Sequence, residues 1–292
     1  MYGPLVIAYL FLGGAAAGGM FVAAAWSLAF RRLPGGREHA VRHARAFAAL
    51  QARAWPLCLL LLVLAISALF WDLGRPDRMM LLMMSPRVTV MTFGTLCLVV
   101  ELLLGIALTL RSLFHLRVLG GRAGRVLEAL CCACSLCTMA YTAFLLMSAM
   151  GMPFWSSPWL VGVFTCSSLS NGLSLLLLVD YFTKDQTILL RAVKPLQKAH
   201  LACLAAEAVT LALFLSAAFA NPGARSACAA LLSPDMMPIA SVGVGVLGLA
   251  LPAALETYSL TRKECRCIPL ADVLCLFGGL CLRYCIITCG IS

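Results

Sequence analysis

Glu101, Asp180, Glu207, Glu256 and Arg283 stand inside stretches that are otherwise almost wholly apolar, and Tyr141 lies deep in another. An ionisable side chain at mid-helix in a bilayer costs at least about 2.5–3.5 kcal/mol, so each is a functional candidate by default. Two chemistries are open to them. They pair as structural ions, with Arg283 compensating one carboxylate, or they form a proton relay. The relay would run from Glu256 or Asp180 near the inner face, through Glu207, to Glu101 at the midplane. Glu101 has no partner close in sequence and suits the relay; Glu256 lies near a loop and suits a structural role. Glu128 and Asp272 are expected near the interface, solvated.

Fifteen cysteines raise the question of a metal. Cys131, Cys134 and Cys137 give C-x2-C-x2-C, the opening of a ferredoxin run. On a helix these thiols spread over about a third of the circumference, so they converge poorly on one cluster. Cys281, Cys285 and Cys289 form a small-residue stripe at i, i+4 and i+8, suited to packing. Haem between helices needs inward axial ligands. His39, His43 and His115 fall in loops, and His200 opens the sixth apolar run. No metal, haem or iron–sulfur ligand set is therefore assigned to this chain.

Composition names the medium. The chain has 292 residues, 62% hydrophobic and 12% charged. A soluble domain carries about 25% charge, so a water-facing surface cannot be coated, and a soluble enzyme is excluded. Eight apolar runs, at roughly 5–30, 54–72, 89–110, 127–149, 158–181, 200–220, 237–257 and 270–288, have the length of membrane helices. They are continuous rather than alternating, which rules against barrel strands. The expected fold is all-α, a single integral membrane domain over 1–292 with eight spans. The first run lacks a basic segment before it and does not read as a cleaved signal.

Lys and Arg set the orientation. Seventeen fall in the loops between spans 1–2, 3–4, 5–6 and 7–8, and four in the alternate loops. Both termini are expected to be periplasmic, in a bacterial inner membrane. The net charge of +10 is thus a topology signal rather than a nucleic-acid one. Trp26, Trp55, Trp71, Trp155 and Trp159 are expected in aromatic belts. Pro56, Pro153, Pro158, Pro195, Pro222 and Pro238 read as helix ends, with Pro252 the interior exception.

Span 1 carries Gly13, Gly14, Gly18 and Gly19, small residues that let helices approach closely or leave a groove for a flat ring. Phe11 to Gly19 aligns with Phe164 to Gly172 at an offset of 153, which suggests a parallel duplication with halves 1–150 and 151–292.

Tyr9-Leu-Phe-Leu-Gly-Gly in span 1, Trp71-Asp72-Leu73-Gly74-Arg75-Pro76 after span 2 and Pro153-Phe154-Trp155 after span 4 now coincide with eight spans. Together they resemble the NrfD/PsrC family, the quinone-reactive membrane subunits of polysulfide-reductase-like complexes. The resemblance covers nearly the whole chain, and the D-L-G-R-P segment is its most specific part. It implies electron exchange between menaquinol or ubiquinol and a periplasmic ferredoxin-like iron–sulfur subunit. That subunit serves a molybdopterin oxidoreductase or a multihaem cytochrome. The membrane chain would not itself turn over the terminal substrate.

The quinone site the resemblance implies lies near the outer face. Its candidate residues are Tyr9, Gly13, Asp72, Arg75, Tyr141 and Trp155, with Glu101, Glu207, Glu256 and Arg283 as the proton path. Tyr9 stands where the polysulfide reductase subunit has a histidine. A phenol can bond a quinone carbonyl but holds its proton, so Asp72 is the alternative proton partner, unless it caps the loop or pairs with Arg75. A dimethyl sulfoxide reductase-type anchor and, from another class, a secondary transporter are the competing readings.

Overall fold

A computed structural model describes residues 3–30, 37–73, 90–114, 121–148, 152–182, 186–261 and 269–291. Among them there is no strand. Eight long helices dominate: α1 (Pro4–Phe30), α2 (Arg37–Leu73), α3 (Val90–Phe114), α4 (Gly121–Met147), α5 (Trp159–Tyr181), α6 (Gln186–Ala220), α7 (Ile239–Thr261) and α8 (Pro269–Ile291). All eight contain segments long and apolar enough to cross a membrane. Helices are the form this sequence must take in lipid, where each backbone N–H and C=O has to be satisfied within its own segment.

The helices close into two rings of four. In the first, α1 packs on α2 and α4, and α3 bridges α2 and α4. In the second, α5 packs on α6 and α8, and α7 bridges α6 and α8. The rings join mainly along α1 and α5. The outward faces are apolar; on α3 they carry Phe93, Leu96, Val100 and Leu103.

Glycine makes the seams close. A Cβ on Gly172 would lie 2.2 Å from the Gly18 carbonyl carbon, so α1 and α5 meet backbone to backbone. These glycines fall in the two segments that align at the 153-residue offset. Gly248 of α7 and Gly278 of α8 meet the same way.

Two helix starts differ from the sequence expectation. Pro56 and Pro195 lie inside α2 and α6, not at their ends. The missing proline N–H removes one rung, but the helix continues on both sides of it. The interior Pro252 sits where α7 changes type, from a π-helical run over Ile239–Ala250 to α-helix over Leu251–Thr261. The Leu251 N–H still reaches back to the carbonyl of Val246. Pro252, without an N–H, cannot bond the carbonyl four residues back.

Trp155 leaves the expected belt. A 3-10 turn at Pro153–Ser156 folds the chain inward, and the indole plugs a notch at Gly290. Its Nε1–H donates to the Ile286 carbonyl at 3.0 Å. Trp55 is also buried, while Trp71 and Trp159 are exposed.

Candidate functional site

Eight crossings put both ends of the chain on one face of the molecule, and Tyr9 lies about 7–8 Å inside α1 from that face. Tyr141 lies about 9 Å from the corresponding end of α4. The two phenols therefore meet at one depth, and they adjoin. The Tyr141 ring occupies a slot over Gly94 of α3, where a Cβ would come within 1.8 Å of the phenol carbon. Beneath Tyr9, Gly13 leaves room against Ala65 of α2. Tyr9 is fully buried, yet its Oη closes no well-aligned hydrogen bond among the described residues.

Glu101 lies deeper in the same ring, about 16 Å along α3. Ser135 Oγ donates to its Oε1 at 2.7 Å, and Thr138 stands close. Tyr9 falls within its electrostatic reach. Its Oε2 finds no partner among the described residues. Cys131 Sγ lies 3.9 Å from Ser135 Oγ, toward the opposite face.

Glu128 corrects the sequence expectation. It is buried, and its Oε1 accepts from Ser27 Oγ at 3.0 Å and Arg111 Nη1 at 2.9 Å. A cavity of about 140 Å³ lined by Gln51, Trp55, Leu108 and Ser112 opens beside this pair. Glu128, Cys131, Ser135, Thr138 and Tyr141 thus make a polar seam at helical spacing along α4.

The second ring has its own seam, on α5. Ser167, Ser170, Asn171 and Ser174 recur at helical spacing and are all buried. Ser170 Oγ donates to Glu207 Oε2 at 2.6 Å. Arg283 Nη1 donates to Ser167 Oγ at 3.1 Å, and Ser167 in turn reaches Glu207, so the guanidinium and the carboxylate communicate through a hydroxyl. Arg283 also bonds Ser168 Oγ, the Gly279 carbonyl and the Leu10 carbonyl. Phe11 and Phe164, partners at the 153-residue offset, flank it with ring centres 5.9 Å and 5.5 Å from the guanidinium carbon.

Glu256 is buried and hydrogen-bonds His200 Nδ1. His200 was expected at a helix start; it is fully buried, with Nε2 3.0 Å from Ser174 Oγ. Asp272, expected in solvent, is fully buried beside them.

The structure therefore brings Tyr9, Gly13, Tyr141 and Glu101 together in the first ring. It gathers Glu207, Arg283 and Glu256 in the second. Asp72 is exposed at the end of α2, near Gly3, just ahead of α1. Trp155 has its N–H committed to α8. Arg75 lies outside the described residues.

The whole chain, residues 1–292, matches the family described as "Polysulphide reductase, NrfD". The chain belongs to the NrfD family. A comparison with curated proteins finds no match. Membership makes the chain a multi-pass membrane subunit of polysulfide-reductase-like complexes, whose members partner in general with iron–sulfur and molybdopterin subunits. Sequence reasoning missed Gly94, His200, Asp272 and the serines. The spacing of hydroxyls along α4 and α5 was the available signal.

Proposed function

We propose that this NrfD-family chain is the quinone-reactive subunit of a respiratory complex in a bacterial inner membrane. It exchanges electrons between menaquinol or ubiquinol and a ferredoxin-like iron–sulfur subunit on the periplasmic face. The observation that carries this is the buried pair of phenols, Tyr9 and Tyr141, with the Tyr9 Oη closing no well-aligned hydrogen bond and lying within reach of Glu101. A buried donor without a well-aligned acceptor costs up to about 1–3 kcal/mol, and a ligand carbonyl would satisfy it. A quinone fits the chemistry of these residues.

When bound there, a quinone supplies two-electron, two-proton redox chemistry. The chain's own part is to bind, orient and move protons. Tyr9 and Tyr141 donate hydrogen bonds from two helices and fix the ring plane. Gly94 gives the Tyr141 ring its slot, and Gly13 adjoins the Tyr9 ring. Glu101 holds a proton at Oε2, with Oε1 anchored by Ser135. Ser135, Cys131 and Glu128 continue the polar seam toward the basic loops, and Glu207, Glu256 and Arg283 form a second such column. Periplasmic termini follow from the seventeen-to-four distribution of Lys and Arg.

The test is to purify the chain with its partners, extract quinone, and measure metals. Quinone retained with the membrane chain, iron found in the partner fraction, and reduced quinone retention by Tyr9→Phe are the expected results. Full retention by a Tyr9→Phe, Tyr141→Phe double variant would overturn the site.

A further inference from the structure

The quinone reading leaves one buried cluster unused as a ligand set. His200 of α6, Glu256 of α7 and Asp272 of α8 offer donor atoms that all lie within 4.8 Å of one another. All three are buried, in a part of the chain where charge is expensive. Each lies about 5–9 Å from the end of its membrane-spanning segment on the face opposite the chain ends, so the cluster is shallow enough to be reached from that side.

We infer that His200, Glu256 and Asp272 form a binding site for a divalent transition-metal ion of the zinc class. Four observations carry it. First, the separations suit the ion. Zinc bonds of about 2.0–2.2 Å require tetrahedral ligand separations of about 3.4 Å, and rotation of two carboxylates closes the difference from 4.8 Å. Second, the charges suit it. A neutral imidazole and two carboxylates sum to minus two, and a divalent ion brings the buried site to zero.

Third, the imidazole has the outer support that metal-bound histidines have. Its Nε2 faces Ser174 Oγ at 3.0 Å, with the thiol of Cys275 in α8 3.5 Å away. In the tautomer that donates Nε2–H to that oxygen, the Nδ1 lone pair points at Glu256, and those two acceptors need a cation between them. Fourth, Glu256 Oε2 has no hydrogen-bond partner among the described residues, although the side chain is almost wholly buried. The ligand type selects the ion. Three donors that include an imidazole suit zinc, cobalt or iron, whereas calcium takes six to eight oxygens.

This site shares Glu256 with the second polar column of the quinone reading, and its test does not use electron transfer. The full chain, stripped with chelator in detergent, is titrated with Zn²⁺ and separately with Co²⁺. We expect about one ion per chain, a higher unfolding temperature, and a cobalt spectrum without thiolate charge transfer. Glu256→Gln and Asp272→Asn should each weaken binding by about tenfold or more, Ser174→Ala by about ten- to a hundredfold, and Cys275→Ser should leave it intact. No uptake overturns the inference. So does strong thiolate charge transfer, which would place the ion on cysteines, and so does equal affinity in a folded Glu256→Gln chain. If that variant fails to fold, the wild-type cobalt spectrum and the Cys275→Ser chain decide alone. Absence of uptake leaves the proton as the cation shared by His200 and Glu256.

Discussion

Arg283 of α8 donates its Nε–H to the backbone carbonyl of Leu10 in α1, 3.0 Å away. That carbonyl belongs to the residue after Tyr9, so a cation in the second ring holds the segment that carries the candidate quinone phenol. The same guanidinium reaches Glu207 through Ser167. Arg283→Lys cannot reproduce the fork and should lose at least one charged hydrogen bond, each worth about 1.5–3 kcal/mol. Thermal unfolding in detergent should register that loss, and quinol turnover should fall with it. An unfolding temperature equal to wild type would show that the bolt carries no load.

Gly94 and Tyr141 give a sharper steric prediction. A methyl at residue 94 cannot coexist with the phenol ring in its slot. Gly94→Ala should lower turnover more than loss of the hydroxyl alone does. A second change, Tyr141→Ala, should restore assembly without restoring turnover. Recovery of both would mean the slot exists for packing only.

Tyr141→Phe isolates the hydroxyl. A hydrogen bond of about 1–1.5 kcal/mol corresponds to roughly a tenfold loss, more where the dielectric is low. Steady-state quinol oxidation by the assembled complex is the measurement. Wild-type rates would remove Tyr141 from the site.

Glu101→Gln keeps an acceptor for Ser135 but removes the titrating group. In proteoliposomes holding the whole complex, proton uptake should drop while electron transfer in uncoupled vesicles persists. If uptake is unchanged, Glu101 is a structural group. Glu128→Gln, at the other end of the α4 seam, should give the same pattern if the seam is continuous.

The partner's seat should lie on the face that carries the chain ends. Asp72 and Ser156 are exposed there. Photocrosslinkers at these two positions should capture an iron-containing subunit. Capture only from positions in the loops between spans 1–2 and 5–6 would reverse the orientation.

The eight spans were legible because a bilayer demands long apolar runs and nothing else in this chain resembles them. The buried acids were legible singly and not as clusters. Glu128 and Asp272 sit near helix ends, where charge ordinarily means solvent. Their burial depends on neighbours from other helices: Ser27 is 101 residues from Glu128, and His200, within 4.8 Å of the Asp272 carboxylate, is 72 residues from it. The lengths of α2 and α6 were hidden by Pro56 and Pro195, since proline marks a helix start more often than it interrupts one. Trp155 misled for a related reason. An indole beside prolines at a span end reads as interfacial until the 3-10 turn swings it inward.

The π-helical run in α7 bears on how this fold tolerates changes of chain length. A π turn closes on the fifth residue, so each turn carries roughly one residue more than an α turn. Ile239–Ala250 therefore holds residues in surplus of what its length across the bilayer requires. Deleting one there can be absorbed by tightening the coil, with Leu251–Thr261 keeping its facing and Glu256 its neighbour. The same deletion ahead of Glu101 in α3 has no such slack, and would turn every later side chain of that helix by about 100°. Among homologues, single-residue gaps should accumulate in the first half of α7 and be purged from α3.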